Sequence, residues 1–213
     1  LPPARLVNSQ ETLSHLVADL KNQTSIAIDT ESNSLHSYQE RVCLIQISTP
    51  DADYLIDPFP IQDMSALGEV FADPSIQKVF HAGDYDLATL KRDFDFEFAN
   101  IFDTMLAATA LAEPSIGLAA LLEKYYDLHL VKKYQRANWG KRPLSEEMRE
   151  YARLDTHFLL ELREILARRL EEKQLIDLAN EDFRRLCNVE PNNHDAPLYT
   201  QVSGYHHLEA QQL

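Results

Sequence analysis

Apolar residues recur along this chain at two spacings, and each spacing predicts one kind of element. Short runs of β-branched and apolar residues are typical of buried strands, whereas apolar positions three and four residues apart are typical of helices. The strand-like runs near the start of the chain are residues 25–30, 42–48 and 53–56. Residues 10–20 have helical spacing, and Asn8 or Ser9 is the expected cap, because either side chain can accept from free backbone N–H groups of the first turn.

Beyond residue 56, strand and helix patterns alternate. Strands are predicted within 76–83 and just before Asp103, which is the expected cap of the next helix. The predicted helices are residues 64–73, 85–94, the segment after Asp103, 117–128, a long helix from the capping Ser145 to about Arg169, and roughly 175–187. Strands in hairpin order followed by alternating strands and helices are typical of an α/β sandwich around a mixed sheet.

One predicted core strand ends in two acids. The stretch "SIAIDTESNSLHSYQERVCLIQIST", residues 25–49, places Asp29 and Glu31 two residues apart, so both side chains leave the same face of the strand. Two neighbouring carboxylates repel each other unless a cation lies between them, and Mg²⁺ and Mn²⁺ prefer such oxygen ligands. The alternative is that one acid faces solvent while the other caps a turn, and the pair alone leaves both readings open.

Further acids follow in comparable positions. The stretch "VFHAGDYDLATL" is a strand, a turn and a helix whose first turn carries Asp84 and Asp86. In "LSEEMREYARLDTHFLLEL", Tyr151 and Asp155 lie four residues apart and therefore share one face of a helix. Each acid taken alone is explained by a helix start or a solvated surface. Together, and in this order, they favour one shared site.

These motifs resemble those of a known family. Asp29-x-Glu31, then "HAGDYD" ending at Asp86, then Tyr151-x-x-x-Asp155 resemble the three exonuclease motifs of the DEDD superfamily, in its tyrosine-bearing DEDDy branch. The segment "WGKRPLSEEMREYARLDTHFLL" is similar to the corresponding segment of ribonuclease D, as is "FDTMLAA". The resemblance covers roughly residues 5–190. It implies an α/β protein with the ribonuclease H-like exonuclease fold, a mixed central β-sheet flanked by α-helices.

The resemblance also implies roles for particular residues. Two divalent ions, Mg²⁺ or Mn²⁺, would be held by four carboxylates: Asp29, Glu31, Asp86 and Asp155. Tyr151 would orient the attacking water or help to deprotonate it. The residues expected near the substrate are His81, the main chain around Gly83, and the loop residues Gln135, Arg136 and Trp139. The family pattern selects Asp86 over Asp84, and Asp103 is expected to cap its helix or to hydrogen-bond near the site without touching metal.

Charge limits how such a protein could hold nucleic acid. The chain has 213 residues and a net charge of −14, whereas proteins that grip long nucleic acids are usually basic. Cations must then be supplied locally, by bound metal or by a basic patch. Residues 132–142 carry five basic side chains and no acid, which either guide the incoming strand or form a solvated loop. For Trp139 the alternatives are packing, which is favoured, and stacking on a base.

The ends and the cysteines give further expectations. Residues 1–190 are predicted to form the catalytic domain, and 191–213 a linker and the start of a truncated domain. The sequence "LYTQVSGYHHLEAQQL" is similar to the opening of the helicase-and-RNase-D C-terminal (HRDC) domain that follows ribonuclease D catalytic domains. Two isolated cysteines and no signal-peptide pattern predict a cytoplasmic location. The apolar runs are shorter than the roughly 18 residues of a spanning helix, so no membrane partner is expected.

The predicted function is a metal-dependent 3′–5′ exoribonuclease that releases nucleoside 5′-monophosphates from RNA 3′ ends, such as those of transfer-RNA precursors. A DNA exonuclease of the same fold is an alternative, because a single 2′-OH contact can decide between the two substrates. A non-catalytic nucleic-acid-binding module is another alternative. It is disfavoured because all four carboxylates and the tyrosine are present. A calcium-binding protein is disfavoured because no dense loop of acids, such as D-x-D-x-D-G, occurs.

Overall fold

A mixed β-sheet lies at the centre of the molecule. The structure, a computed structural model, describes residues 2–130 and 133–191. Within these residues the sheet has six strands in the order β1-β4-β3-β2-β5-β6. The strands are β1 (Arg5–Val7), β2 (Ser25–Ser32), β3 (Val42–Ser48), β4 (Asp53–Ile56), β5 (Gln77–Phe80) and β6 (Ile101–Asp103). The mixed sheet predicted from the sequence is confirmed.

Strand β2 is in the middle of the sheet and carries the acidic pair. It pairs antiparallel with β3, where Asp29 lies opposite Gln46, and parallel with β5 only as far as Ala27. All seven residues of β3 are buried, which explains its almost continuously apolar sequence. The register shifts between Glu31 and Ser32, so the pairing becomes irregular where the acids end.

Helices cover both faces of the sheet. They are α1 (Gln10–Leu20), α2 (Ser65–Ala72), α3 (Asp84–Phe94), α4 (Thr104–Ala110), α5 (Leu118–Tyr126), α6 (Glu146–His157), α7 (Leu159–Glu172) and α8 (Ile176–Cys187). One apolar core joins the sheet to α1, α2 and α3, and a second joins it to α4, α5, α7 and α8. A smaller cluster around Trp139 packs α6 against β3 and β4. No helix in the described residues is long and apolar enough to cross a membrane.

The predicted caps are in place. The Ser9 hydroxyl accepts from the Thr12 N–H, and Thr12 reciprocates, which completes a capping box at the start of α1. Asp103 accepts from the N–H groups of Met105 and Leu106, and Ser145 accepts from that of Met148. These side chains satisfy donors that a helix start leaves unpaired, which is why the sequence predicted the boundaries well.

Two features differ from the sequence prediction. The long helix expected from residue 145 to about 169 is two helices, α6 and α7, which meet at Phe158. The break lets α6 pack on β3 and β4 while α7 packs on α4 and β5. Strand β1 was not predicted, because its three residues are too few to form a pattern. The predicted linker and HRDC segment, residues 191–213, lies outside the described residues except for Pro191.

Candidate active site

The first two acids of the site extend from the sheet itself. Asp29 and Glu31 are in the second half of β2, beyond the last residue that pairs with β5. Their side chains affect each other electrostatically, as both do with Asp86 and Asp155. The strand therefore delivers both carboxylates to one place on the protein, as the two-residue spacing predicted.

Asp86 arrives from the first turn of α3. Between β5 and α3 the chain turns through Ala82, which has φ of 59°, and Gly83, where an added Cβ would lie 2.6 Å from the Phe80 side chain. The Asp103 carboxylate fixes this turn by accepting from the Gly83 N–H at 2.8 Å. As a result Asp86 is buried at the cluster, whereas Asp84 is exposed. The structure thus brings Asp86, and not Asp84, to the other acids.

Helix α6 supplies the remaining two groups. Tyr151 and Asp155 lie one turn apart on this helix, and both are close enough to the β2 acids to interact electrostatically. The Tyr151 ring contacts two other rings, with its centroid 5.7 Å from that of Tyr134 and 6.2 Å from that of Trp139. These aromatic contacts limit where the phenol can point.

The four carboxylates are strongly perturbed. Burial, followed by repulsion from Asp155 and Asp86, raises the pKa of Glu31 to about 9. Burial and the other three acids raise the pKa of Asp29 well above its ordinary value. Burial is also the main cause that raises the pKa of Asp155 to about 7 and that of Asp86 to about 6. Each carboxylate is thus costly to ionise, which is expected of acids crowded together without a cation.

The donor set fits a hard divalent cation. Carboxylate oxygens are the ligands that Mg²⁺ and Mn²⁺ prefer, and such an ion would offset the repulsion that raises these pKa values. As placed, no three His, Cys, Asp or Glu side chains in the described part of the chain are close enough to enclose an ion. The four acids therefore form an open cluster rather than a closed coordination shell.

A cavity of about 710 Å³ opens beside the cluster. Asp29, Tyr151 and Asp155 line it together with His81, the start of α5 and residues 128–130 and 133–135. The His81 ring nitrogen Nδ1 is hydrogen-bonded to Thr104 Oγ1 at 2.9 Å. Burial lowers the pKa of His81 to about 4, so its imidazole is neutral near pH 7.

The other predicted substrate residues divide into two groups. Gln135 lines the cavity, and Arg136 is exposed nearby, with its carbonyl hydrogen-bonded to the His36 ring. The Gly83 N–H donates to Asp103 and the Gly83 carbonyl accepts from Leu87, so these two groups hold the turn before α3, and a substrate contact by the main chain around Gly83 stays a prediction. Trp139 is 1% exposed and packs with the α6 cluster, so the packing prediction is confirmed and its ring is not open to a base.

Sequence reasoning missed two polar residues that contact the acids. The Thr30 hydroxyl donates to the Asp86 carboxylate, and Gln46 Nε2 lies 3.5 Å from Asp29 Oδ2. Gln46 interrupts the apolar run "VCLIQI", which was the available signal. Its partner depends on the β2–β3 register, which the sequence alone does not give.

Buried carboxylates gathered where divalent ions could bind are suited to phosphodiester hydrolysis, so fold and cluster together define a nuclease domain. The chain belongs to the 3′–5′ exonuclease family, whose family model matches residues 4–171. It is thus a hydrolase domain of a family that depends on divalent metal.

Individual relatives show which kind of 3′–5′ exonuclease this chain is similar to. A region of 167 residues is 43% identical to the exosome complex exonuclease RRP6 of Saccharomyces cerevisiae, covering 78% of this chain and 23% of that protein. The chain therefore spans less than a quarter of this curated relative's length. The catalytic core of RRP6 from Trypanosoma brucei superposes with a TM-score of 0.83 at 34% identity, over 94% of this chain and 57% of that one.

Two further solved structures of nucleases are similar to this chain. Escherichia coli RNase D, an exoribonuclease involved in structured RNA processing, superposes with a TM-score of 0.81 at 31% identity, over 86% of this chain and 49% of that one. Brucella melitensis NrnC, solved with bound Mg²⁺, gives a TM-score of 0.74 at 25% identity, over 98% of each chain. The predicted ribonuclease D-like assignment and ribonuclease H-like exonuclease fold are confirmed.

Proposed function

We propose that this domain removes nucleotides one at a time from RNA 3′ ends and releases nucleoside 5′-monophosphates, using two divalent ions. The observation that carries the proposal is the convergence of four carboxylates, from β2, α3 and α6, beside a cavity that Tyr151 and His81 also line. The ions would be held by Asp29, Glu31, Asp86 and Asp155. When bound, they would activate the attacking water and offset the negative charge on the departing 3′ oxygen.

In this proposal Tyr151 orients the attacking water. Burial and the charges of Asp155, Glu31 and Asp29 raise the pKa of Tyr151 above its ordinary value of 10.0. The phenol therefore keeps its proton at neutral pH and acts through hydrogen bonding at its hydroxyl rather than as a general base. The contacts with Tyr134 and Trp139 keep its ring in place while the substrate binds.

The proposed substrate is the 3′ end of a structured RNA precursor, transfer-RNA precursors among them. Support comes from the RNase D and RRP6 relatives, of which the former is described as acting in structured RNA processing. The cavity, about 710 Å³, has the size of common ligand pockets and would take the terminal nucleotide. Neutral His81 and exposed Gln135 line this cavity together with the charged residues Lys133, Glu147 and Glu150, and exposed Arg136 follows Gln135 in the chain.

A cleavage ladder tests the proposal. Matched single-stranded RNA and DNA, each labelled at the 5′ end, are incubated with Mn²⁺, with Mg²⁺ or with chelator. We expect metal-dependent shortening from the 3′ end, faster on RNA, with nucleoside 5′-monophosphates as products. Faster loss of DNA would favour a DNA exonuclease, and no shortening of either strand would favour a binding module.

Two aspartates in α3 provide a matched pair of variants. Asp86→Asn removes a proposed metal ligand, while Asp84→Asn makes the same chemical change on an exposed residue two positions away. We expect Asp86→Asn to abolish shortening and Asp84→Asn to retain it. Equal activity of the two variants would contradict the assignment of Asp86.

A further inference from the structure

Two uncharged side chains contact two of the four acids of the site, Asp86 and Asp29. Thr30 lies between Asp29 and Glu31 in β2, and its hydroxyl donates to Asp86 Oδ1. One residue therefore links the strand that carries the first acids to the helix that carries the third.

Gln46 makes the corresponding contact from the next strand. It is directly opposite Asp29 in the β2–β3 pair, where side chains on the same face lie side by side. Its Nε2 donates to Asp29 Oδ2 over 3.5 Å, which is long for a hydrogen bond. A shorter distance between these two atoms would strengthen the bond. The residue is fully buried, and its Oε1 atom has no donor among the described residues.

The amide of Gln46 is only partly satisfied where it lies. Gln46 shares its face of β3 with buried Leu44 and Ser48, and the Ser48 hydroxyl is hydrogen-bonded to Asp53 and Thr156, whereas Gln46 Oε1 is left without a donor among the described residues. An apolar side chain there would leave no buried oxygen without a donor. A residue that is unfavourable for folding and touches a site acid is better explained by the site.

The absence of charge on both donors matters for metal binding. A lysine or arginine at either position would attract the carboxylate and would also compete electrostatically with a divalent ion. A hydroxyl and an amide orient the carboxylate oxygens while leaving the negative charge in place. Hydrogen bonds to ligating carboxylates of this kind commonly tune metal affinity.

We propose that Thr30 and Gln46 are positioning residues that hold Asp86 and Asp29 with uncharged donors, so that the charge of both carboxylates is kept for the divalent ions. This inference rests on the proposed function, because it assumes that those acids bind metal. Thr30 fixes the Asp86 side chain against β2, and Gln46 fixes Asp29 from β3. Their effect is on metal affinity, and neither residue touches the reacting atoms.

Four variants separate positioning from a structural role. Thr30→Val keeps the shape and removes the donor, while Thr30→Ser keeps the hydroxyl. Gln46→Met keeps the length and removes the amide, while Gln46→Glu replaces it by a fifth carboxylate of nearly the same shape. For each, Mn²⁺ affinity is measured by calorimetry without RNA, and thermal unfolding is followed in chelator.

We expect Thr30→Val and Gln46→Met to bind Mn²⁺ roughly 10- to 100-fold more weakly, as is common when a partner of a metal ligand is removed. Thr30→Ser should bind as the unaltered chain does. In chelator, Gln46→Met should unfold at the same temperature as the unaltered chain or higher, because it removes a buried oxygen that lacks a donor. Gln46→Glu should unfold at a lower temperature than the unaltered chain, because it adds repulsion among the carboxylates.

Unchanged Mn²⁺ affinity in both Thr30→Val and Gln46→Met would overturn the inference. It would also be overturned if both variants unfolded well below the unaltered chain in chelator, because a structural role would then explain the loss. Binding without RNA separates this inference from the proposed function. An unaltered chain that binds Mn²⁺ but shortens no RNA would overturn the proposed function alone.

Discussion

Replacing Glu31 by glutamine is expected to stabilise the metal-free protein, although it removes a proposed metal ligand. Burial and the neighbouring charges of Asp155 and Asp86 raise the pKa of Glu31 from an ordinary 4.5 to about 9. In the unfolded chain the same carboxylate is hydrated and ionises near its ordinary value. The folded protein must therefore either keep Glu31 protonated or bear the cost of its charge.

The sign and size of the effect follow from this difference. Because the pKa of Glu31 is raised by folding, its contribution to stability is fully present below about pH 4.5 and is lost as the pH rises toward 9. Between pH 4.5 and pH 7, about 1.36 kcal/mol per pH unit gives a limit of about 3 kcal/mol. Solvent screening of this half-buried group reduces the expected gain for Glu31→Gln to about 1–3 kcal/mol at pH 7. At pH 5 the same reasoning leaves less than about 1 kcal/mol.

Urea unfolding in chelator at pH 5 and pH 7 measures this gain in the free energy of unfolding. The control variant is Glu97→Gln, which makes the same change at an exposed glutamate. With saturating Mn²⁺ the order should reverse, because metal stabilises the folded chain only as far as it binds. Two results would refute the reasoning. One is a Glu31→Gln variant that is no more stable than the unaltered chain at pH 7 in chelator, and the other is a gain of the same size at both pH values.

Three other variants give independent tests. Arg142→Gln removes a guanidinium that hydrogen-bonds both carboxylate oxygens of Asp57 and the Cys43 carbonyl. For this partly buried pair, urea unfolding should show a loss of about 2–4 kcal/mol in the free energy of unfolding. A loss under about 0.5 kcal/mol would show that the segment carrying Arg142 does not depend on these contacts. Tyr151→Phe should keep Mn²⁺ affinity and lower the rate at saturating RNA by roughly 100-fold or more, so full rate from pH 6.5 to 9 would exclude the orienting role. Burial lowers the pKa of Lys78 to about 8. As the pH rises from 8 to about 10.5, the free energy of unfolding of the unaltered chain should therefore increase relative to that of Lys78→Met. A difference between the two that stays constant over this range would contradict this.

The parts of the fold that the sequence predicted are those with local causes. Ser9, Asp103 and Ser145 satisfy N–H groups within three residues of themselves, so a cap can be recognised from a short segment. The buried strands β2 and β3 are recognised in the same way, from continuous apolar runs.

The parts that it did not predict depend on distant contacts. Strand β1 is ordered by pairing with β4, some fifty residues later. At the break between α6 and α7, the His157 ring hydrogen-bonds Asp53 at 2.9 Å, a contact across more than one hundred residues. Helical spacing continues through Phe158, so a local pattern gives no sign that one helix ends and another begins there.

The same difference between local and distant contacts applies to the residues of the site. The acids were predicted because their spacing on one strand or helix already places them together, whereas Thr30 and Gln46 act through partners on other elements. Trp139 lies in a basic, polar segment that is typical of a surface loop, yet its ring fills the space between α6 and β3. Only the packing of α6 on the sheet distinguishes a buried anchor from an exposed stacking surface.

The position of the acids in the fold explains how the chain tolerates them. Repulsion among Asp29, Glu31, Asp86 and Asp155 opposes folding, so the elements that carry them must be held by other interactions. Strand β2 pairs with β5 as far as Ala27 and with β3 through both acids, and β3 is buried along its whole length. A cluster placed on loops would relax by moving apart, whereas these acids extend from one strand and from two helices, α3 and α6, that pack on the sheet. A net charge of −14 is compatible with the proposed RNA substrate, because divalent ions held by the cluster would supply positive charge where a phosphate binds.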